Sequence, residues 1–273
     1  MDLLKRGRAA VCLLLLSCNA DLGGFFASTD LDERLAARDT FVFLSGDDLR
    51  LTLPDEYTFI LISDTHITAD DTKGLERIES QLIESDRFIV VTGDITDTGS
   101  EAELRAFLEI FGSLPIPCFP VIGNHDLFFG NWSVWRKLIG SATYRAGSAD
   151  SSTDIIVLDS ASAFFGASQL EWLRGQLRGS KRHTLIFTHC PLYLDGTLKY
   201  EQITDWKDPL ERAKFMAIAA GSCEAFFAGH IHIRTDVSLG GLRFVTIEDY
   251  SAGRAFARVS VDHSGLHWQF LRL

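Results

Sequence analysis

Nine residues of the 273-residue chain have types and spacings suited to metal or phosphate chemistry: Asp64, His66, Asp94, Asn124, His125, Asp126, His189, His230 and His232. They fall in short clusters, "DTH" (64–66), "GD" (93–94), "GNHD" (123–126), "TH" (188–189) and "GHIH" (229–232). Imidazole and carboxylate together suit Mn, Fe or Zn better than Ca or Mg. Two such ions, about 3.5–4 Å apart, need a ligand that reaches both, and a carboxylate with two oxygens does so. Singly, each cluster is weak. A lone histidine after a strand is more often a structural hydrogen-bonding group than a ligand, and Gly-Asp marks a turn as readily as a site. The series as a whole has no simple structural explanation, whereas a shared metal centre accounts for every member.

The elements that would position these residues are visible around them. Each cluster follows a short apolar run: Tyr57–Ser63, Phe88–Gly93, Phe119–Gly123, Leu185–Thr188 and Ala225–Gly229. Continuous runs of this length read as strands buried on both faces. The carboxyl ends of such strands are where open α/β sheets bind ligands. Asp94 comes from a middle strand and is the natural bridging ligand, and Gly93, Gly123 and Gly229 would let the backbone turn and approach closely. Helices alternate with the strands. The segment 72–85 carries Leu75, Ile78 and Leu82 at helical spacing. Ser100 with Glu103 forms a capping box ahead of Leu104, Phe107, Leu108 and Phe111. Ser168 with Glu171 predicts a second box ahead of Leu170, Leu173 and Leu177, with Gly179 closing the helix. Pro209 suits the first position of another helix. "TDIIVLDS" adds a strand, and beyond it 242–248, 255–261 and 266–272 read as strands only. The segment 127–150 shows no strand signal and is expected to be a helical flap over the site. The chain therefore reads as one α/β domain with an antiparallel end section.

Composition bounds the function. The chain is 46% hydrophobic, enough for a sizeable core, and its net charge of −11 argues against a general nucleic-acid-binding surface. A phosphate substrate remains compatible, because bound cations reverse the local field. Residues 1–17 have a basic start (Lys5, Arg6, Arg8) and an apolar stretch, Ala9 to Leu16, too short to span a bilayer. They read as an export signal. "LLSC" at 15–18 resembles the bacterial lipoprotein cleavage box, which implies lipidation of Cys18 and anchoring in the cell envelope; an ordinary signal with a chance cysteine is the alternative. Residues 18–40 are expected to form a tether and 41–273 the folded domain. Cys118, Cys190 and Cys223 are an odd number beside apolar runs, and read as buried free thiols.

"DTH", "GDITD", "GNHD", "THCP" and "GHIH" resemble, in order, the motifs of the calcineurin-like metallophosphoesterase superfamily, over residues 60 to about 235. The resemblance implies a four-layer α-β-β-α sandwich with two metals, Mn, Fe or Zn, at the carboxyl ends of the strands. By position it implies that Asp64, His66 and His232 hold one ion and Asn124, His189 and His230 the other, with Asp94 between them. It further implies that His125 protonates the leaving oxygen, that Asp126 orients the His125 ring, and that a hydroxide held between the metals attacks phosphorus in line.

"GDITDTGSEAEL" and "SQLEWLRGQL" are similar to the branch containing the class III cyclic nucleotide phosphodiesterases. Asp97 stands where purple acid phosphatases have a tyrosine ligand, so a purple iron–tyrosinate centre is not expected. Cys190 replaces a second histidine often found in the phosphodiesterase branch, which bears on substrate choice. His183, His263 and His267 read as structural or exposed. Arg234 could reach a phosphate or be a solvated strand residue. The aromatic and basic residues Phe128, Phe129, Trp132, Trp135, Arg136 and Lys137 could hold the second ester group of a diester or simply pack. The expected function is hydrolysis of a phosphate ester, a diester above a monoester, with a nucleotide or phospholipid derivative among the possible substrates. The alternative is a surface lipoprotein that uses the fold for binding or adhesion, to which loss of ligands would point; every ligand position is filled.

Overall fold

The computed structural model describes residues 31–150, 152–179, 182–193 and 209–273. The expected signal peptide, Cys18 and the first part of the tether lie outside the described residues. The strands are β1 (Arg50–Leu51), β2 (Tyr57–Ile62), β3 (Asp86–Thr92), β4 (Cys118–Val121), β5 (Tyr144–Ser148), β6 (Thr153–Val157), β7 (His183–Phe187), β8 (Ala225–Ala228), β9 (Thr235–Leu239), β10 (Leu242–Thr246), β11 (Ala255–Asp262) and β12 (Gly265–Arg272). One sheet has the order β1-β5-β6-β7-β8-β10-β9 and the other β12-β11-β2-β3-β4. Strands β2, β3 and β4 run parallel, as do β6, β7, β8 and β10. The helices are α1 (Leu31–Ala36), α2 (Glu101–Gly112), α3 (Trp132–Leu138), α4 (Gly166–Gln176), α5 (Pro209–Ala219) and α6 (Tyr250–Gly253).

The apolar runs are continuous because each strand has two covered faces. Phe59, Leu61, Phe88, Val90 and Phe119 point inward, where they meet Val157, Leu185, Phe187 and Phe227 of the other sheet. Phe59 stacks on Phe88 at 4.6 Å and meets Phe187 and Phe227 edge-on at 5.9 and 6.1 Å, so aromatic rings join the sheets. The alternate residues Ile60, Ile62, Ile89 and Val91 face Leu104, Phe107 and Phe111 of α2. On the opposite side Ile156, Ile186 and Phe226 face Leu170 and Leu173 of α4 and Phe215 of α5. These three cores make four layers, α-β-β-α.

Several expectations need correction. The 72–85 segment forms a 3₁₀ helix, Leu75–Gln81, rather than an α-helix, burying Leu75 and Ile78 at the i, i+3 spacing that a three-residue turn repeats. The Ser100–Glu103 capping box forms, but Ser168 caps nothing: α4 begins two residues earlier. The Glu211 carboxylate of α5 accepts instead from the N–H groups of Phe165 (3.0 Å) and Gly166 (2.8 Å), so α4 is capped from another helix. The segment 127–150 is not a flap. It holds α3 and then β5, which pairs antiparallel with β6, and Trp132 and Trp135 are buried in the core. Residues 31–40, expected within the tether, belong to the domain: Leu31 and Leu35 of α1 are buried, and Arg34 forms a buried ion pair with Asp159 at 2.5 Å.

Candidate metal centre

A backbone ladder beyond the ends of β2 and β3 brings the first two motifs side by side. The N–H groups of Asp64, His66 and Ile67 donate to the carbonyls of Gly93, Asp94 and Ile95 at 3.0–3.1 Å. Holding the side chains on one edge requires unusual backbone. Asp64, His66, Asp94, His230 and His232 all have positive φ, between 42° and 70°. Left-handed backbone is uncommon outside glycine and is kept where surrounding structure enforces it, typically at functional sites. The neighbouring glycines serve close approach. A Cβ on Gly123 would lie 2.1 Å from the Asp94 nitrogen and 2.2 Å from its Oδ1, and one on Gly93 would lie 2.4 Å from His189 Nδ1.

The side-chain donor atoms converge. His189 Nε2 lies 3.0 Å from Asn124 Oδ1, 3.2 Å from Asp94 Oδ2 and 3.2 Å from His230 Nδ1. One ring nitrogen carries at most one hydrogen and cannot satisfy three such neighbours. His232 Nε2 lies 3.2 Å from Asp64 Oδ1. His66 Nε2 is buried without a hydrogen-bond partner and sits 4.0 Å from Asp94 Oδ2. Asp64, His66 and His232 form one group whose donor atoms lie within 4.8 Å of one another, and Asp64, Asp94 and His189 form another. An orphaned imidazole nitrogen and an over-subscribed one, both turned toward the same carboxylate, are what a pair of cations would satisfy. The donor set therefore fits the metals the motifs imply.

The surroundings orient these groups. His189 Nδ1 lies 2.8 Å from the Thr92 carbonyl, which can only accept, so Nδ1 carries the hydrogen and Nε2 faces the centre. Ser63 Oγ donates to Asp64 Oδ2, and the His230 N–H donates to the same oxygen at 3.0 Å. The Asp94 Oδ1 accepts from the His125 N–H at 2.9 Å. Burial pushes the Asp94 carboxyl up, yet the charge and hydrogen bond of His189, with His125 and His66, hold it well below the usual carboxylate range. Burial pushes His189 down, but the charge and hydrogen bond of Asp94, with Asp64, raise it to about 9. Burial dominates at His66 and holds it below the ordinary imidazole value, in the neutral form a metal requires.

Asp126 does not orient His125. Its carboxylate accepts from the N–H groups of Gly123 (2.9 Å), Thr96 (2.9 Å) and Ile95 (3.3 Å) and from the Thr96 hydroxyl (2.7 Å), which locks the β3 and β4 loops together. Burial, reinforced by the Asp94 charge, pushes it up to about 6. The partner of the His125 ring is the Asp97 carbonyl, 2.8 Å from Nδ1. Arg234 and Lys137 are both held by carboxylates. Arg234 pairs with Glu248 at 3.1 Å, its guanidinium 4.3 Å from the centre of the Phe270 ring. Lys137 bonds Glu101 at 3.0 Å, whereas the Phe128 ring lies against the His125 ring and Phe129 stands beside Phe128. His183 is buried against Glu224, and His263 is exposed beside Glu56. Cys118, Cys190 and Cys223 are buried and form no disulfide among the described residues. The Thr92 and Asp97 carbonyls had no signal in the sequence, because any residue type supplies one.

Fold and site together define a two-sheet α/β sandwich whose motifs gather a histidine–carboxylate centre. The family model of the calcineurin-like phosphoesterases matches residues 57–234, and the chain belongs to that family, whose members are metal-dependent phosphoester hydrolases that typically bind two ions. No curated protein matches the chain. Among solved structures it is similar to the purple acid phosphatase PPD1 from yellow lupin, with TM-score 0.63, 12% identity, 80% of this chain covered and 51% of that one. It is also similar to GAP50 of Plasmodium, with TM-score 0.59, 12% identity, 80% of this chain covered and 85% of that one. The chain thus spans about half the length of the lupin protein. At these identities the likeness is one of fold.

Proposed function

We propose that the protein is a di-metal phosphodiesterase, exported and held in the bacterial cell envelope by lipidation at Cys18. The convergence of Asp94, Asn124 and His230 on His189 Nε2, all within 3.2 Å, carries the metal reading. Asp64, His66 and His232 would hold one ion, Asn124, His189 and His230 the other, and Asp94 would serve both. Bound there, such ions supply Lewis acidity that activates water and neutralises phosphate oxygens. Mn, Fe and Zn all suit the donor set.

His125 is the proton donor. The Asp97 carbonyl fixes a hydrogen on Nδ1, so Nε2, 4.0 Å from Asp94 Oδ2, is the atom that exchanges a proton with the leaving oxygen. The preference for diesters rests on charge. Arg234 is committed to Glu248, and the Asp97 carboxylate, half exposed, lies 4.0 Å from His66 Nδ1. A carboxylate beside the site disfavours a dianionic monoester more than a monoanionic diester. Bis-p-nitrophenyl phosphate and p-nitrophenyl phosphate share a leaving group. In the metal-loaded mature protein the diester should show the higher kcat/KM; a monoester preference would refute the diesterase assignment.

A binding role is the second reading. GAP50 is described as the anchor in the inner membrane complex of Plasmodium, so this fold is not confined to catalysis. Filled ligand positions favour the enzyme. Metal-loaded protein that hydrolyses neither ester would favour binding.

A further inference from the structure

The turn that follows His125 carries a residue its backbone does not favour. The Phe128 carbonyl accepts from the Asn131 N–H at 3.1 Å, closing a four-residue turn. Both central residues have positive φ, 56° at Phe129 and 75° at Gly130. Such turns favour Asn, Asp or Gly at the first central position, because a larger side chain crowds the left-handed backbone. Burial does not explain the choice either: Phe129 is 76% exposed, the highest value among the exposed large hydrophobic residues described.

Position supplies a reason. The Phe128 ring lies against the His125 ring, centroids 4.2 Å apart at 34°, and Phe129 stands edge-on to Phe128 at 6.3 Å and 82°. Two aromatic rings therefore run from the proton donor out to solvent. Trp132 and Trp135 of the same segment are buried in the core and take no part. We infer that Phe128 and Phe129 form a shelf that stacks against a planar ring carried by the leaving group. The inference rests on the reading of His125 as donor to the leaving oxygen. A group attached to that oxygen must lie beside His125, and its next atoms reach the shelf. Aromatic faces stack on bases and aryl rings alike, with a gain of about tenfold in affinity for one such contact.

Calorimetric titration of the Mn-loaded, full-length protein tests this without turnover measurements. The ligands are two pairs of phosphomonoesters differing by a ring: AMP with ribose 5-phosphate, and phenyl phosphate with methyl phosphate. At least one ring-bearing member should bind about tenfold more tightly than its partner. An advantage for AMP alone marks a base held at nucleoside distance, and one for phenyl phosphate alone marks a ring directly on the ester oxygen. Phe129→Asn suits the turn and should fold at least as well as wild type. It should shrink the advantage to within about twofold while leaving the ringless ligand unchanged, and Phe129→Tyr should retain it. Equal binding within both pairs, or an advantage that survives Phe129→Asn, overturns the shelf. Failure of all four phosphates to bind overturns the shelf, and failure of bis-p-nitrophenyl phosphate to bind as well overturns the phosphate-site reading, a result distinct from loss of the ring effect alone.

Discussion

Replacement of His125 by alanine separates its role from that of its neighbours. The ring Nε2 lies 4.0 Å from Asp94 Oδ2, as does that of His66, but His66 Nε2 is buried without a partner, whereas the His125 ring is already held at Nδ1 by the Asp97 carbonyl. Its main-chain N–H bond to Asp94 Oδ1 survives the substitution. The seven proposed ligand side chains should therefore keep their places, and metal content should not change. Loss of a general acid costs about 10²–10⁴ in rate. Here the ring is held in advance by the Asp97 carbonyl at 2.8 Å, which places the expected loss in the upper part of that range, about 10³–10⁴. At 1.36 kcal/mol per tenfold, that is about 4–5 kcal/mol of transition-state stabilisation. The loss should appear in full for a glycerophosphodiester, whose alkoxide leaves poorly, and shrink to about tenfold for bis-p-nitrophenyl phosphate, whose phenolate needs little protonation. Asp97→Ala keeps the carbonyl and should cost less than about tenfold. Steady-state kcat for both diesters, with elemental analysis of each variant, decides the matter. An equal loss on both substrates, or loss of metal from His125→Ala, would refute proton donation.

Other substitutions probe the framework. Gly123→Ala places a Cβ within about 2 Å of Asp94 and should destabilise the fold by about 1–3 kcal/mol and weaken metal retention, measured by Tm and elemental analysis. For metal-free protein, His189 is raised from 6.5 to about 9 in the folded state. Its contribution is fully present below pH 6.5 and lost as pH rises toward 9, so Tm should fall across that window, while metal-loaded protein, with the proton displaced, should not show the fall. Cys18→Ser should block the proposed lipidation and leave phosphoesterase activity intact; mass spectrometry of an unmodified mature protein beginning elsewhere would exclude the anchor.

The candidate site was legible in the sequence because the strands that carry its residues are covered on both faces. Runs such as "FIVV" and "AFFA" leave no polar interruption until the residue that ends each strand, so the motifs stand out where the apolar run stops. Elements that obey weaker rules were not legible. β5, "YRAGS", is made largely of small or poor strand formers and takes its place from pairing with β6. The true start of α4 depends on Glu211, more than 40 residues away, which no local capping pattern reveals. The family resemblance implied that Asp126 orients the His125 ring, but the 3₁₀ turn beginning at His125 carries the Asp126 side chain back under the β3 loop. Backbone carbonyls fix both His125 and His189, and a carbonyl leaves no trace in residue type.

Metal stoichiometry tests the central claim most directly. Mature protein loaded with Mn or Fe and desalted should carry about two ions per chain by elemental analysis. Asp94→Ala removes the carboxylate that faces His66, His125 and His189, and should lose bound metal together with activity. A folded, fully loaded wild type that retains no metal, or an Asp94→Ala variant that retains both ions and full activity, would contradict a shared two-metal centre.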